Sequence, residues 1–242
     1  MHFSNFFLIF LIGEILSLKF ISVAIDGPVG AGKSTAAREC AKRLGFVYCD
    51  TGALYRAVGL YCVRNGIDPK NPSGCTERIK VEISLIDGVQ HVFLNGEDVS
   101  EDIRLPEISM AASAVSAAAE VRKALLGIQR DIAANNNVVM DGRDIGTVVL
   151  PNADVKVFLT AKPEIRAKRR YDELVKKGVE TTFEEVLRDL NERDYNDSHR
   201  AEAPLKQAED AVLADTSELD FEQSVELICR IVNNVRERRN VL

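Results

Sequence analysis

Residues 20–34, FISVAIDGPVGAGKS, constrain the fold more than any other stretch of the chain. Phe20–Ile25 is a short apolar run rich in β-branched residues, the pattern of a strand buried on both faces. After it, Ala36, Ala37, Cys40, Ala41 and Leu44 recur at helical spacing from Ser34 onward, and Gly45 supplies a stop. Between strand and helix, residues 27–34 match the spacing G-x-x-x-x-G-K-S. Such a loop wraps its backbone N–H groups inward as a nest, at the positive end of the helix dipole. That is a cradle for a polyphosphate. The nucleotide-binding set is then Gly27, Pro28, Val29, Gly30, Ala31, Gly32, Lys33, Ser34 and Thr35. Lys33 reaches the β- and γ-phosphates and the Ser34 hydroxyl ligates Mg²⁺. A chance glycine turn would have to acquire the strand, the helix and the Lys-Ser pair by accident.

The rest of the chain alternates strands and helices. Phe46–Cys49, Val138–Met140, Val155–Thr160 and Ala211–Ala214 read as short strands, and Val138–Met140 runs into Asp141. Helices are predicted from about 51 to 65, over 107–134, over 164–177 with Pro163 in the first turn, from near Phe183, and after Asp220 with Gln223 as its capping-box partner. This order argues for an α/β fold with a parallel sheet covered on both faces. One stretch departs from it. Val81, Ile83 and Leu85 alternate with Glu82, Ser84 and Ile86, the pairs Asp87-Gly88 and Asn95-Gly96 are turn signals, and Val92 and Leu94 lie on a return strand. A small antiparallel unit is therefore inserted in the βα series and has no core of its own.

Composition narrows the partners. With a net charge of −6, a general affinity for nucleic acid polymers is not expected. Cys40, Cys49, Cys62, Cys75 and Cys229 form no CxxC pair, and with His2, His91 and His199 they make no zinc pattern. Scattered thiols of this kind fit a reducing cytoplasm and small core positions. Residues 1–18 are apolar but short of a membrane span, with Glu14 interrupting and no basic residue ahead of the run. They read as a leader, an unstructured one or a product of start-site choice, outside a domain covering 19–242. No stable membrane association is expected.

Three classes use such a loop. A GTPase is disfavoured because no Asn-Lys-x-Asp guanine-reading motif occurs. A mechanical ATPase needs accessory machinery that a chain of 242 residues lacks room for. A small-molecule kinase predicts an arginine-rich acceptor side, and arginines recur near the remaining motifs. A catalytically silent nucleotide-binding module is the alternative outside enzymes.

Those motifs are IDGPVGAGKST (25–35), YCDTGALYRAV (48–58), GEDVSEDIR (96–104), MDGRDIGTVVLPNADVKVFLTA (140–161) and NERDYNDSHRAEAPL (191–205). Together and in this order they resemble bacterial cytidylate kinase, over about residues 20–235. The resemblance implies a P-loop NTPase core with a five-stranded parallel sheet, an acceptor-binding insertion over 62–115 and a helical lid over 162–182. It implies phosphoryl transfer from ATP to CMP or dCMP in pyrimidine nucleotide metabolism, with ATP and Mg²⁺, in a cytoplasmic enzyme whose partners are small molecules alone, the chain being a monomer. A kinase of UMP or of a coenzyme precursor is the nearest rival.

By the same resemblance, Arg56, Arg143 and Arg200 hold the acceptor phosphate and Thr51 lies near that nucleotide. Arg193 and Asp197 touch the ribose, and Ser113, Arg122 and Asp144 read the base. Lys33, Arg143, Arg200 and Arg193 form the catalytic set, and Asp141 joins Ser34 as a candidate Mg²⁺ ligand. Without the resemblance, an arginine on a helix is as a rule solvated or weakly ion-paired. Two readings stay open for Arg166, Arg169 and Arg170: a solvated helix face, or lid cations that close over ATP.

Overall fold

The computed structural model describes residues 20–240 except Asp87. The readings made for residues 1–18, the start of the domain at Lys19 and the Asp87 half of the hairpin turn lie outside the described residues. In chain order the elements are β1 (Ser22–Asp26), α1 (Lys33–Leu44), β2 (Val47–Asp50), α2 (Thr51–Arg64), β3 (Val81–Ile86), β4 (Val89–Leu94) and β5 (Glu97–Asp98). After a 3₁₀ turn at Asp102–Arg104 come α3 (Pro106–Val115), α4 (Ala119–Asn135), β6 (Val138–Gly142) and a π-helical turn at Ile145–Val149. The chain closes with β7 (Val155–Thr160), α5 (Pro163–Lys176), α6 (Phe183–His199), β8 (Val212–Asp215) and α7 (Phe221–Asn240).

Five strands form one parallel sheet in the order β2-β6-β1-β7-β8. Successive strand residues face opposite sides, so each face takes its own layer. Val23, Ile25, Val139, Val157 and Leu159 pack with Ala37, Cys40 and Ala41 of α1 and Val225, Ile228 and Val232 of α7. Ala24, Val138 and Met140 pack on the other side with Ile145, Val149 and Leu126 of α4. β3, β4 and β5 make a separate antiparallel sheet. Its Val81, Val92 and Leu94 share a core with Leu54 and Val58 of α2, Ile108 and Val115 of α3, and Val121 and Leu125 of α4. As expected, this unit has no core of its own. Gln90 ties it to the main sheet: its amide accepts from Asp50 N–H at 2.8 Å and donates to Asp50 C=O at 3.1 Å, the pairing a neighbouring strand would make.

Two elements differ from the sequence reading. The helix expected over 107–134 is two helices, α3 and α4, broken at Ser116–Ala118. No glycine or proline marks the break. The Ser116 hydroxyl donates to Ser113 C=O at 2.8 Å and the Ser116 C=O accepts from Arg122 at 3.2 Å, so side chains take backbone groups that a continuous helix would have used. The π-helical turn was also unforeseen. It is held from outside, since Asp26 accepts from the N–H groups of Ile145 and Gly146, each at 2.7 Å. The capping box at Asp220 and Gln223 is formed as expected.

α2 and α3 approach closely at Gly59, where an added Cβ would stand 2.9 Å from the Ala112 nitrogen and 3.1 Å from the Ala111 carbonyl carbon. Backbone atoms cannot step aside as a flexible side chain would. Gly59→Ala should therefore destabilise the protein by about 1–3 kcal/mol despite alanine's better helix propensity. Urea unfolding of the purified variant measures this; an unchanged midpoint would show that α3 shifts at no cost.

Candidate active site

The strands are parallel, so their carboxyl ends meet at one edge of the sheet, where open α/β sheets bind ligands. β1, β2, β6 and β8 each bring an aspartate to that edge: Asp26, Asp50, Asp141 and Asp215. The loop leaving β1 is the glycine-rich one. A Cβ at Gly27 would lie 1.9 Å from Leu159 O on β7, so only glycine lets the loop cross there. Gly32 caps α1 at φ +84°, a left-handed conformation that side chains disfavour. Lys33 is buried and its Nζ donates to Pro28 O at 2.7 Å. Burial, and then the Arg143 charge, push the Lys33 ammonium down to about 7, against the pull of Asp141, Asp197 and Asp26. Thr35 is exposed on the first turn of α1.

Around this loop the residues predicted for the site form three groups. In the first, Asp141 accepts from Ser34 Oγ at 2.8 Å and from the Tyr48 hydroxyl at 2.8 Å, while Thr51 Oγ1 donates to Asp141 C=O at 2.8 Å. Burial and the nearby Asp50 charge raise the Asp141 carboxyl above its usual range. A hydroxyl beside a carboxylate offers hard oxygen donors of the kind Mg²⁺ takes, in the small number it uses when phosphates supply the rest.

The second group is cationic. Arg143 Nε pairs with Asp197 at 2.8 Å, and Arg56 pairs with Asp50 at 3.1 Å. Burial works against the Asp197 charge, but Arg143, Arg193 and Arg200 hold its carboxyl below the usual value. Arg193 Nε is buried and has no hydrogen-bond partner among the described residues. Burial and then the Arg143 charge lower Arg193 to about 10, with Arg56 and Arg170 adding repulsion. Arg143 and Arg56 thus each have a carboxylate partner, whereas Arg193 Nε has none among the described residues. In the third group, Asp144 is gripped from both sides, by Arg122 and by Arg200 at 3.4 Å. Arg200 also donates to Ala203 O at 2.8 Å. Arg122 lies over the Tyr55 ring, 5.5 Å from its centre. Ser113 is half-buried and reaches this group through its carbonyl, which accepts the Ser116 hydroxyl.

The arginines of α5 divide. Arg166 is buried and donates to Ala161 O and Val29 O, each at 2.8 Å, so it is no solvated face. Arg169 donates to the Thr216 and Leu219 carbonyls at 2.7 and 3.2 Å. Arg170 pairs with Glu173 at 2.8 Å. Sequence reasoning missed Asp26, Tyr48 and Ser116. Tyr48 lies inside one of the motif stretches, whereas nothing in the sequence around Ser116 signals its role.

The cytidylate kinase family model matches residues 23–234. The chain belongs to the cytidylate kinase family. The cytidylate kinase of Caldicellulosiruptor bescii is 48% identical over 90% of this chain and 99% of its own. That of Fervidobacterium nodosum is 50% identical over 87% and 95%. That of Caldanaerobacter subterraneus subsp. tengcongensis is 52% identical over 86% and 92%. The three residue groups all fall within the stretch that matches the cytidylate kinase family. Among the described residues no helix is long and apolar enough to cross a membrane.

Asp26 makes the site sensitive to pH. Burial raises its carboxyl from 3.8 to about 6, although the Gly146 and Ile145 amides favour the charged form. Between those two values the native chain binds a proton that the unfolded chain does not, so this contribution falls as pH rises and is lost above about 6. Relative to Asp26→Asn, the wild-type protein should gain on the order of 2 kcal/mol of stability when pH drops from 7 to 4.5. Parallel denaturant titrations at the two pH values test this; superposable differences would mean that Asp26 titrates normally.

Proposed function

We propose that this chain transfers the terminal phosphoryl group of ATP to CMP or dCMP, with ATP on the glycine-rich loop and the acceptor on the adjoining arginine cluster. The observation that carries the reading is the junction at the end of β6, where Asp141 accepts from Ser34 of the loop at 2.8 Å and Arg143, two residues on, pairs with Asp197 of α6 at 2.8 Å. The glycine-rich loop and the arginine cluster meeting at one strand end mark the place where two phosphates would meet.

The chemistry needs no general base. The attacking atom is a phosphate oxygen of the acceptor, and a phosphate monoester with a second pKa of about 6 is largely dianionic at neutral pH. What the reaction needs is compensation of charge. Two unit charges 4 Å apart interact by about 4 kcal/mol at an effective dielectric constant of 20, and each phosphate carries more than one. Lys33 and the loop amides meet the donor oxygens, while Arg56, Arg143 and Arg200 grip the acceptor phosphate. Arg193 and Asp197 meet the ribose, and Arg193 adds fixed positive charge beside Arg143. Ser34 and Asp141 would hold Mg²⁺, which neutralises phosphate charge when bound.

Asp144, with Arg122 and Ser113, reads the base. Cytosine presents an amino donor beside two acceptors, which suits a carboxylate next to a guanidinium. Uracil presents a carbonyl in place of the amino group and leaves Asp144 facing an oxygen. Residues 62–115 serve as the acceptor-binding unit and 162–182 as the lid. Both nucleotides are held by groups of one chain, so a monomer suffices.

A coupled ADP-release assay over CMP, dCMP, UMP and AMP should show CMP and dCMP turned over fastest; faster conversion of UMP or AMP would overturn the reading. Arg143→Ala should cut turnover by about 100-fold or more while ATP affinity changes only a few-fold. Asp144→Ala should instead shrink the ratio of CMP to UMP turnover.

A further inference from the structure

The glycine-rich loop does not keep its shape by itself. Val29, at its centre, is held at both of its backbone polar groups by side chains from other elements. Its N–H donates to Asp194 Oδ1 of α6 at 3.1 Å, and its C=O accepts from Arg166 Nη1 of α5 at 2.8 Å. The two side chains also hold each other, Arg166 Nη1 donating to Asp194 Oδ2 at 2.5 Å. Arg166 is nearly fully buried and is further fixed by its Nε bond to Ala161 O at 2.8 Å.

The peptide plane gives this clamp its consequence. In a trans peptide the C=O and the following N–H point in opposite directions. Drawing the Val29 carbonyl toward Arg166 turns the Gly30 N–H to the opposite side. Drawing the Val29 N–H toward Asp194 likewise leaves the Pro28 carbonyl facing away from Asp194, where it accepts from Lys33. Packing supports the same arrangement, since a Cβ at Gly30 would lie 3.1 Å from Arg166 O and 3.2 Å from Leu190 Cδ1 of α6.

We infer that Asp194 is a positioning residue for the donor site: with Arg166 it sets the orientation of the loop peptides that face the donor phosphates. The inference rests on the proposed function for the identity of the donor. It also gives α6 a double task. Arg193 and Asp197, one residue before and one turn after Asp194, belong to the acceptor cluster, so a single helix sets the loop and presents acceptor residues.

Removing Asp194 alone would strand a buried guanidinium and risk unfolding. The test therefore pairs Asp194→Asn, which keeps an oxygen acceptor for Val29 N–H, with the double variant Asp194→Ala/Arg166→Met, which removes both charges. ATP binding is measured by calorimetry without acceptor, and KM for each substrate by steady-state kinetics. The double variant should melt within a few degrees of wild type yet bind ATP about tenfold more weakly, with Asp194→Asn between the two and KM for CMP changed less than about threefold. A folded double variant with wild-type ATP affinity would overturn the inference, as would equal losses for ATP and CMP. If the wild-type protein failed to phosphorylate CMP, the proposed function would fall, and the ATP titration would still judge the clamp.

Discussion

Two phosphate anions will not sit end to end unless fixed positive charge is waiting for them, and a protein interior is a poor place to store it. Arg143, Arg193 and Lys33 lose hydration where they sit, which drags Lys33 down to about 7 and Arg193 to about 10. Carboxylates offset part of this cost. Asp197 holds Arg143, and Asp144 holds Arg122 and Arg200. The compensation is incomplete at Arg193, whose buried Nε has no partner among the described residues. A site that is slightly too positive is what an anionic substrate can complete, because binding then relieves repulsion as well as creating it.

The parallel sheet makes this arrangement possible by bringing chemically similar strand ends to one edge. Three of its strands finish on an aspartate and β6 carries one at its second-to-last position, and their neighbours give each a different task. Asp26 holds the π-helical turn next to Asp144. Asp50 caps α2 and pairs with Arg56. Asp141 accepts from Ser34 and Tyr48. Asp215 accepts from the Ser217 amide and hydroxyl. The carboxyl group is the same in every case. Depth of burial and the donors that face it decide whether it serves as a strut, a cap or a ligand.

The small antiparallel sheet extends the same logic to the acceptor side. It shares its core with α2, α3 and α4, and Gln90 joins it to Asp50 by a strand-like pair of hydrogen bonds. Ser113 and Arg122, proposed to read the base, therefore rest on helices braced from two directions. Arg122 shows why this matters. It holds Asp144, lies over Tyr55 and takes the Ser116 carbonyl that ends the preceding helix. Moving that one guanidinium would disturb the Asp144 carboxylate and the helix break together.

The strand, glycine-rich loop and helix at the start of the domain were legible in residues 20–45, because strand burial, turn geometry and helix spacing are local properties of the chain. The antiparallel insertion was legible for the same reason, in its period-two alternation and the Asn95-Gly96 turn. The arginines and aspartates of the candidate site were found through motif stretches, since nothing local separates a site arginine from a solvated one. Folding alone decided the rest. Ser116 breaks a helix that its alanine-rich surroundings favour, and Arg166, within a run of basic residues, is buried against the loop. The burial of Arg166 depends on hydrogen-bond partners far away in sequence, Val29 and Asp194, which only the packed chain brings within about 3 Å, and the Ser116 break depends on how its hydroxyl and carbonyl meet Ser113 and Arg122 once the chain has folded.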